Sequence, residues 1–196
     1  MTVAGDLPRT KPKLPKLIYH SAIAATHGRP FLPDTNMKFA HLIEINDLLN
    51  PLIEPLSREQ LWRGLVLRAE SPKLFVPHLD QCLLLAPVGN TRARELHYGD
   101  LIIRDQVTFD VLQQVHYFVP AQGEIAASHL TMTIEEPQPG ALFVRFEYDD
   151  GNDAATDAAN AMYNEYRRSA YHESDIDTIR IIRELAAEGR FDRPVA

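Results

Sequence analysis

Residues 91–109 read TRARELHYGDLIIRDQVTF, and the way this stretch folds back on itself decides the architecture. Gly99-Asp100 separates two runs rich in β-branched and aromatic residues, the arrangement of a two-residue hairpin turn in which glycine takes a backbone conformation that other residues resist. Strands are therefore predicted over Thr91–Tyr98 and Leu101–Phe109. Side chains alternate faces along a strand, so Leu101, Ile103, Val107 and Phe109 share one face and Asp105 falls on it with them.

Outward from the hairpin, short alternating runs broken by turn residues continue from Leu79 to Tyr148, the mark of an antiparallel meander. They place further strands at Leu79–Ala86, Val111–Val119, Ser128–Glu135 and Leu142–Tyr148, with Gly89-Asn90, Gly123 and Pro139-Gly140 as turns. Upstream, Phe39–Ile45 reads as a first strand, and Pro51 and Pro55 forbid a long regular element after it. Ser57 with Gln60 forms a capping box ahead of Leu61, Trp62, Leu65, Val66 and Ala69 at helical spacing, and Ser71-Pro72 stops that helix.

Downstream, Ala155, Ala158, Ala159, Met162, Tyr166, Ala170, Ile176, Ile179 and Ile182 recur near one stripe, predicting a helix over Ala154–Glu188 that ends at Gly189. Such a helix is about 50 Å long, against about 27 Å for an eight-residue strand. It must overhang or break, and the polar run His172-Glu173-Ser174-Asp175 is where a bend is expected.

One strand, a helical connection, six strands and a long helix, without βαβ alternation, give an α+β fold. The expectation is a seven-stranded curved antiparallel sheet wrapped around a long C-terminal helix. Alanines on the covering helix leave unfilled volume over the concave face, so an apolar cavity for a small molecule is expected there.

Leu61-Trp62-Arg63-Gly64-Leu65, Arg94–Leu101, Arg104–Phe109 and Leu130–Pro137 together resemble the AtaL-like family of bacterial and fungal proteins, within the SRPBCC (START-like) helix-grip superfamily. The resemblance covers residues 37–190, read as one ligand-binding domain, with residues 1–36 a flexible extension and 191–196 a tail. Met37 directly precedes the first strand pattern, as an overextended start site would leave it. The resemblance implies an internal hydrophobic cavity and no single reaction, because the superfamily holds lipid carriers, polyketide aromatase/cyclases and co-chaperone modules.

Composition narrows the partners. The formal charge is −7 with no clustered Lys/Arg surplus, which argues against nucleic acid. The single cysteine, Cys82, excludes an intrachain disulfide, and a reducing cytoplasm fits it. No segment reaches the ~20 apolar residues of a membrane span. The eight histidines show no HxxxH or HExxH spacing. Neither GxSxG, GxxxxGK[ST] nor GxGxxG occurs, and no metal or cofactor is expected.

The residues expected around the cavity are Trp62, Tyr98, Ile103, Asp105, Met132, Glu136, Phe146, Met162 and Tyr166. Asp105 reads either as a cavity acid that orients a ligand or as half of an ion pair with Arg94 or Arg145, since an unpaired buried carboxylate is costly. Glu136, rather than its neighbour Glu135, shares a face with Leu130, Met132 and Ile134 and reads either as a cavity-mouth carboxylate or as a solvated strand end. Trp62 and Tyr166 can contact a ligand or simply pack. His97 and Asp105 are the acid/base candidates. Three functions follow: a carrier of a hydrophobic, aromatic or polyketide-like molecule; a cyclase/aromatase/dehydratase using the same cavity; or a protein-interaction module.

Overall fold

The computed structural model describes residues 38–149 and 161–192. In chain order the elements are β1 (Lys38–Glu44), α1 (Arg58–Glu70), β2 (Gln81–Leu84), β3 (Thr91–Tyr98), β4 (Leu101–Asp110), β5 (Gln114–Val119), β6 (Ser128–Glu135), β7 (Phe143–Asp149) and α2 (Ala161–Ala187). The seven strands form one antiparallel sheet in the order β1-β7-β6-β5-β4-β3-β2. This is the expected helix-grip arrangement.

The hairpin that anchors the sheet closes as its residues require. Tyr98 pairs with Leu101, leaving Gly99-Asp100 as the loop, and Gly99 adopts φ +61°. Along β4 the alternation is clean: Ile103, Asp105 and Val107 are buried, while Ile102, Arg104 and Gln106 are exposed. β5 begins at Gln114 rather than Val111, because Asp110–Gln113 forms a turn with Leu112 at φ +60°. β2 is confined to four residues at the sheet edge, where Leu83 and Leu84 are exposed.

The capping box of α1 forms as read: the Gln60 amide donates to Ser57 Oγ, and the Ser57 amide donates to Gln60 Oε1. The buried face of α1, Leu61, Gly64, Leu65 and Ala69, packs into the main core with Val107, Val115, Met132 and Phe146 of the sheet. Ile179 and Ile182 of α2 complete that core, each fully buried aliphatic side chain contributing roughly 1.5–3 kcal/mol. Gly64 lets the two helices approach so closely that a Cβ built on it would stand 2.5 Å from Ile182 Cγ2.

α2 is one continuous helix through His172–Asp175, so the chain does not break there. The run stays helical because Asp175 is inside the protein rather than capping a new helix: it is 0% exposed and bonded to the sheet. Ile176, counted in the apolar stripe, is exposed, whereas Ile179 and Ile182 are buried. The helix ends at Ala187, two residues before Gly189 at φ +72°. The extension expected at residues 1–36, the alanines 155, 158 and 159, and the end of the tail lie outside the described residues.

Candidate functional site

A cavity of about 260 Å³ opens between the concave face of the sheet and α2. The inward alternation of β3 contributes Arg94, Leu96 and Tyr98, and that of β5 contributes Tyr117 and Val119. Ala170, Tyr171 and Ser174 of α2 form the opposite wall, and Ala170, as a small residue, leaves room there. The connection after α1 supplies Pro72, Phe75, Val76 and Pro77. A separate hollow of about 420 Å³ lies between residues 52–56 and the end of α2, lined by Arg183 and Ala187 among others and remote from these groups.

Two polar constellations border the cavity. In the first, Arg94 Nε donates to Asp105 Oδ1 at 2.9 Å, Nη2 donates to Oδ2, and Nη1 donates to the Ala69 carbonyl. Both side chains are 4% exposed, so this is a buried bidentate pair between neighbouring strands. Burial works against the Arg94 charge, and the hydrogen bonds to Asp105 outweigh it and raise its pKa. The Arg94 and Arg68 guanidiniums both lie over the Tyr117 ring, at 5.1 and 5.4 Å from its centroid.

In the second, the Tyr148 hydroxyl lies 2.8 Å from both oxygens of Asp175 and donates its proton between them. Burial, then the Asp175 charge, pushes the Tyr148 pKa up, so the phenol stays protonated. Tyr171 stacks flat on Tyr148, with centroids 4.3 Å apart and planes 4° from parallel. His41 Nε2 comes within 3.1 Å of Asp175 Oδ2 without hydrogen-bond alignment, and both His41 ring nitrogens are buried without a hydrogen bond. The ring is held by stacking on Phe146, 5.4 Å away and 9° from parallel.

Of the residues expected around the cavity, Tyr98 and Asp105 line it. Ile103, Met132 and Phe146 lie behind the lining, in the packed core. Trp62 faces a different depression, beside Gly89, Asn90 and Phe109. Glu136 is exposed and clamps the β6–β7 turn, accepting from the Gly140 amide at 2.8 Å and from Arg58 Nε at 3.2 Å. Tyr166 is 61% exposed, because its helix position turns it to solvent. His97 has the parity of Glu95 on β3, opposite to Leu96 and Tyr98, and bonds Glu95 Oε1 at 2.8 Å on the convex face. Met162 falls in α2, and its side chain lies outside the described residues.

Sequence reasoning passed over Arg68, Tyr117, Tyr171 and Asp175 as site residues, whereas Tyr148 falls on the inward parity of β7 with Val144 and Phe146. The signal for Tyr117 was its strand parity with Val115 and Val119, and for Asp175 its spacing of four from both Tyr171 and Ile179 on an unbroken helix. Among the described residues no group of three or more His, Cys, Asp or Glu side chains is placed to hold a metal, and no helix is long and apolar enough to cross a membrane.

A family model described as "Acetylaranotin biosynthesis cluster protein L" matches residues 43–189. No curated protein matches the chain. Among solved structures, the di-domain aromatase/cyclase StfQ from the steffimycin biosynthetic pathway aligns at TM-score 0.58 and 10% identity, over 79% of this chain and 52% of that one. The chain thus spans about half the length of StfQ. The Zhui aromatase/cyclase from Streptomyces sp. R1128 aligns at TM-score 0.53 and 12% identity, over 78% of this chain and 94% of that one. Ara h 8.0201 aligns at TM-score 0.52 and 9% identity, over 79% and 99%. At these identities the likeness is one of fold.

Proposed function

We propose, from the premise that this chain belongs to the AtaL family, that it binds a hydrophobic small molecule in the cavity between its sheet and α2. The supporting observation is a hollow of about 260 Å³ with a mostly apolar lining and a few converging polar groups. A cavity of about 150 Å³ holds a benzene ring, so the space suits roughly two fused rings. The two aromatase/cyclases of the same fold lend an aromatic or polyketide-like ligand some support.

Native mass spectrometry of the freshly purified chain, followed by a thermal-shift screen of mono- and bicyclic compounds, tests this. The expected result is a bound mass or a compound that raises the melting temperature, with both effects lost in Ala170→Phe, where a ring would occupy the space. A folded wild type that binds no compound would refute the reading.

Catalysis of the cyclase or dehydratase kind is the second reading, favoured by the Tyr148–Asp175 pair at the cavity wall. Tyr148 holds a proton at the cavity wall, and the Asp175 carboxylate opposes its loss and favours its return, so the phenol would serve as hydrogen-bond donor to a bound carbonyl. Tyr148→Phe separates the two readings: turnover of a bound compound lost with its affinity retained is expected for an enzyme, and unchanged turnover removes Tyr148 from the chemistry. Asp105 is a weaker candidate than its sequence position suggested, since both of its oxygens are engaged by Arg94.

A further inference from the structure

The two arginines over Tyr117 differ in what they have left to offer. Arg94 has each of its three nitrogens bonded, to Asp105 or to the Ala69 carbonyl. Arg68 makes one well-aligned hydrogen bond, from Nε to Thr178 Oγ1 at 3.3 Å, and its guanidinium otherwise faces the Tyr117 hydroxyl. Arg68 lines the cavity. So does Tyr117, which is 7% exposed and whose buried hydroxyl has no hydrogen-bond partner. Asp175 attracts Arg68 electrostatically, yet its oxygens are taken by Tyr148 and approached by His41.

A guanidinium fork with N–H groups to spare, facing a half-open hollow beside a buried phenol without an aligned hydrogen-bond partner, is where a ligand's polar group would be received. A planar carboxylate matches that fork, because its two oxygens can take paired N–H donors and still accept a third hydrogen bond. We infer that the ligand is a hydrophobic carboxylic acid whose carboxylate sits on Arg68 Nη1 and Nη2 and accepts from the Tyr117 hydroxyl. Its ring system lies against Leu96, Val76 and Ala170. This inference rests on the small-molecule reading above and specifies the chemical class of the molecule.

Calorimetric titration at pH 7.5 with naphthalene-2-carboxylate and with its neutral methyl ketone, 2-acetylnaphthalene, tests it. The wild type is expected to bind the acid roughly 10–100-fold more tightly than the ketone, the worth of hydrogen bonds to a charged group. In Arg68→Met and Arg68→Gln that preference is expected to vanish while ketone binding persists. In Tyr117→Phe it should shrink by roughly 3–10-fold. If the ketone binds the wild type as tightly as the acid, or if the preference survives in the Arg68 variants, the carboxylate assignment is overturned while the cavity reading stands. Binding of neither compound overturns both. If neither Arg68 variant folds, the wild-type preference and its reduction in Tyr117→Phe decide the matter.

Discussion

Replacing Gly64 by alanine tests how tightly α1 and α2 determine each other's position. The added methyl would stand 2.5, 2.7 and 2.9 Å from Cγ2, Cγ1 and Cδ1 of Ile182, so it meets the whole side chain and not one movable tip. Ile182 is 0% exposed, within the packed core. Separating the pair to ordinary contact requires a displacement near 1 Å at the centre of the core, at the upper end of the ~1–3 kcal/mol cost of overpacking. Alanine returns about 1 kcal/mol of helix propensity. The net loss is about 2 kcal/mol, a fall in melting temperature of about 4–8 °C for a chain of this size. Urea denaturation should show a lower midpoint at unchanged slope. Adding Ile182→Ala should couple favourably by roughly 1–3 kcal/mol, since each change then relieves the other. Gly64→Ala with stability equal to or above the wild type would refute the reasoning.

Other consequences are as direct. Asp105→Asn leaves the Arg94 charge buried without its partner and should cost about 3–5 kcal/mol in urea denaturation, more than the double change Arg94→Met/Asp105→Leu. Tyr148→Phe removes the hydroxyl that bonds Asp175 and should cost about 1–3 kcal/mol at neutral pH. Folding raises the Tyr148 pKa above the ordinary value near 10, so its stabilisation is whole below about pH 10 and lost as pH rises beyond it. Chemical denaturation between pH 10 and 11 should therefore weaken the wild type more steeply than Tyr148→Phe. Glu136→Gln loosens the turn at Gly140 and should leave ligand affinity within about 2-fold in the calorimetric titration, since the residue stands clear of the cavity.

The sheet was legible because the period of two in β4 and β7 and the Gly99-Asp100 turn reflect local chemistry. The limits of β2 and β5 were less so. They depend on which edge has a partner and on Leu112 adopting a left-handed conformation, neither of which its sequence announces. Within the site, the parity of β3 turns Tyr98 inward and sends its neighbour His97 to the other face. Trp62 and Tyr166 were unreadable because an amphipathic helix leaves its rotation about its axis loosely specified at the edges of the apolar stripe. Asp175 was misread through its composition: a polar run suggests a break, and only the carboxylate's tertiary bond to Tyr148 makes a helix interior the better place for it.

Cys82 sits in β2, hydrogen-bonded to β3 on one side only, and it is the chain's single thiol. Burial pushes its pKa up, so the closed sheet presents a slow nucleophile. A thiol-directed dye therefore has one address, on the half-buried outermost strand of the sheet. Leu96, the β3 partner of Cys82, lines the hollow, so a label at that address would report on the wall without any engineered site.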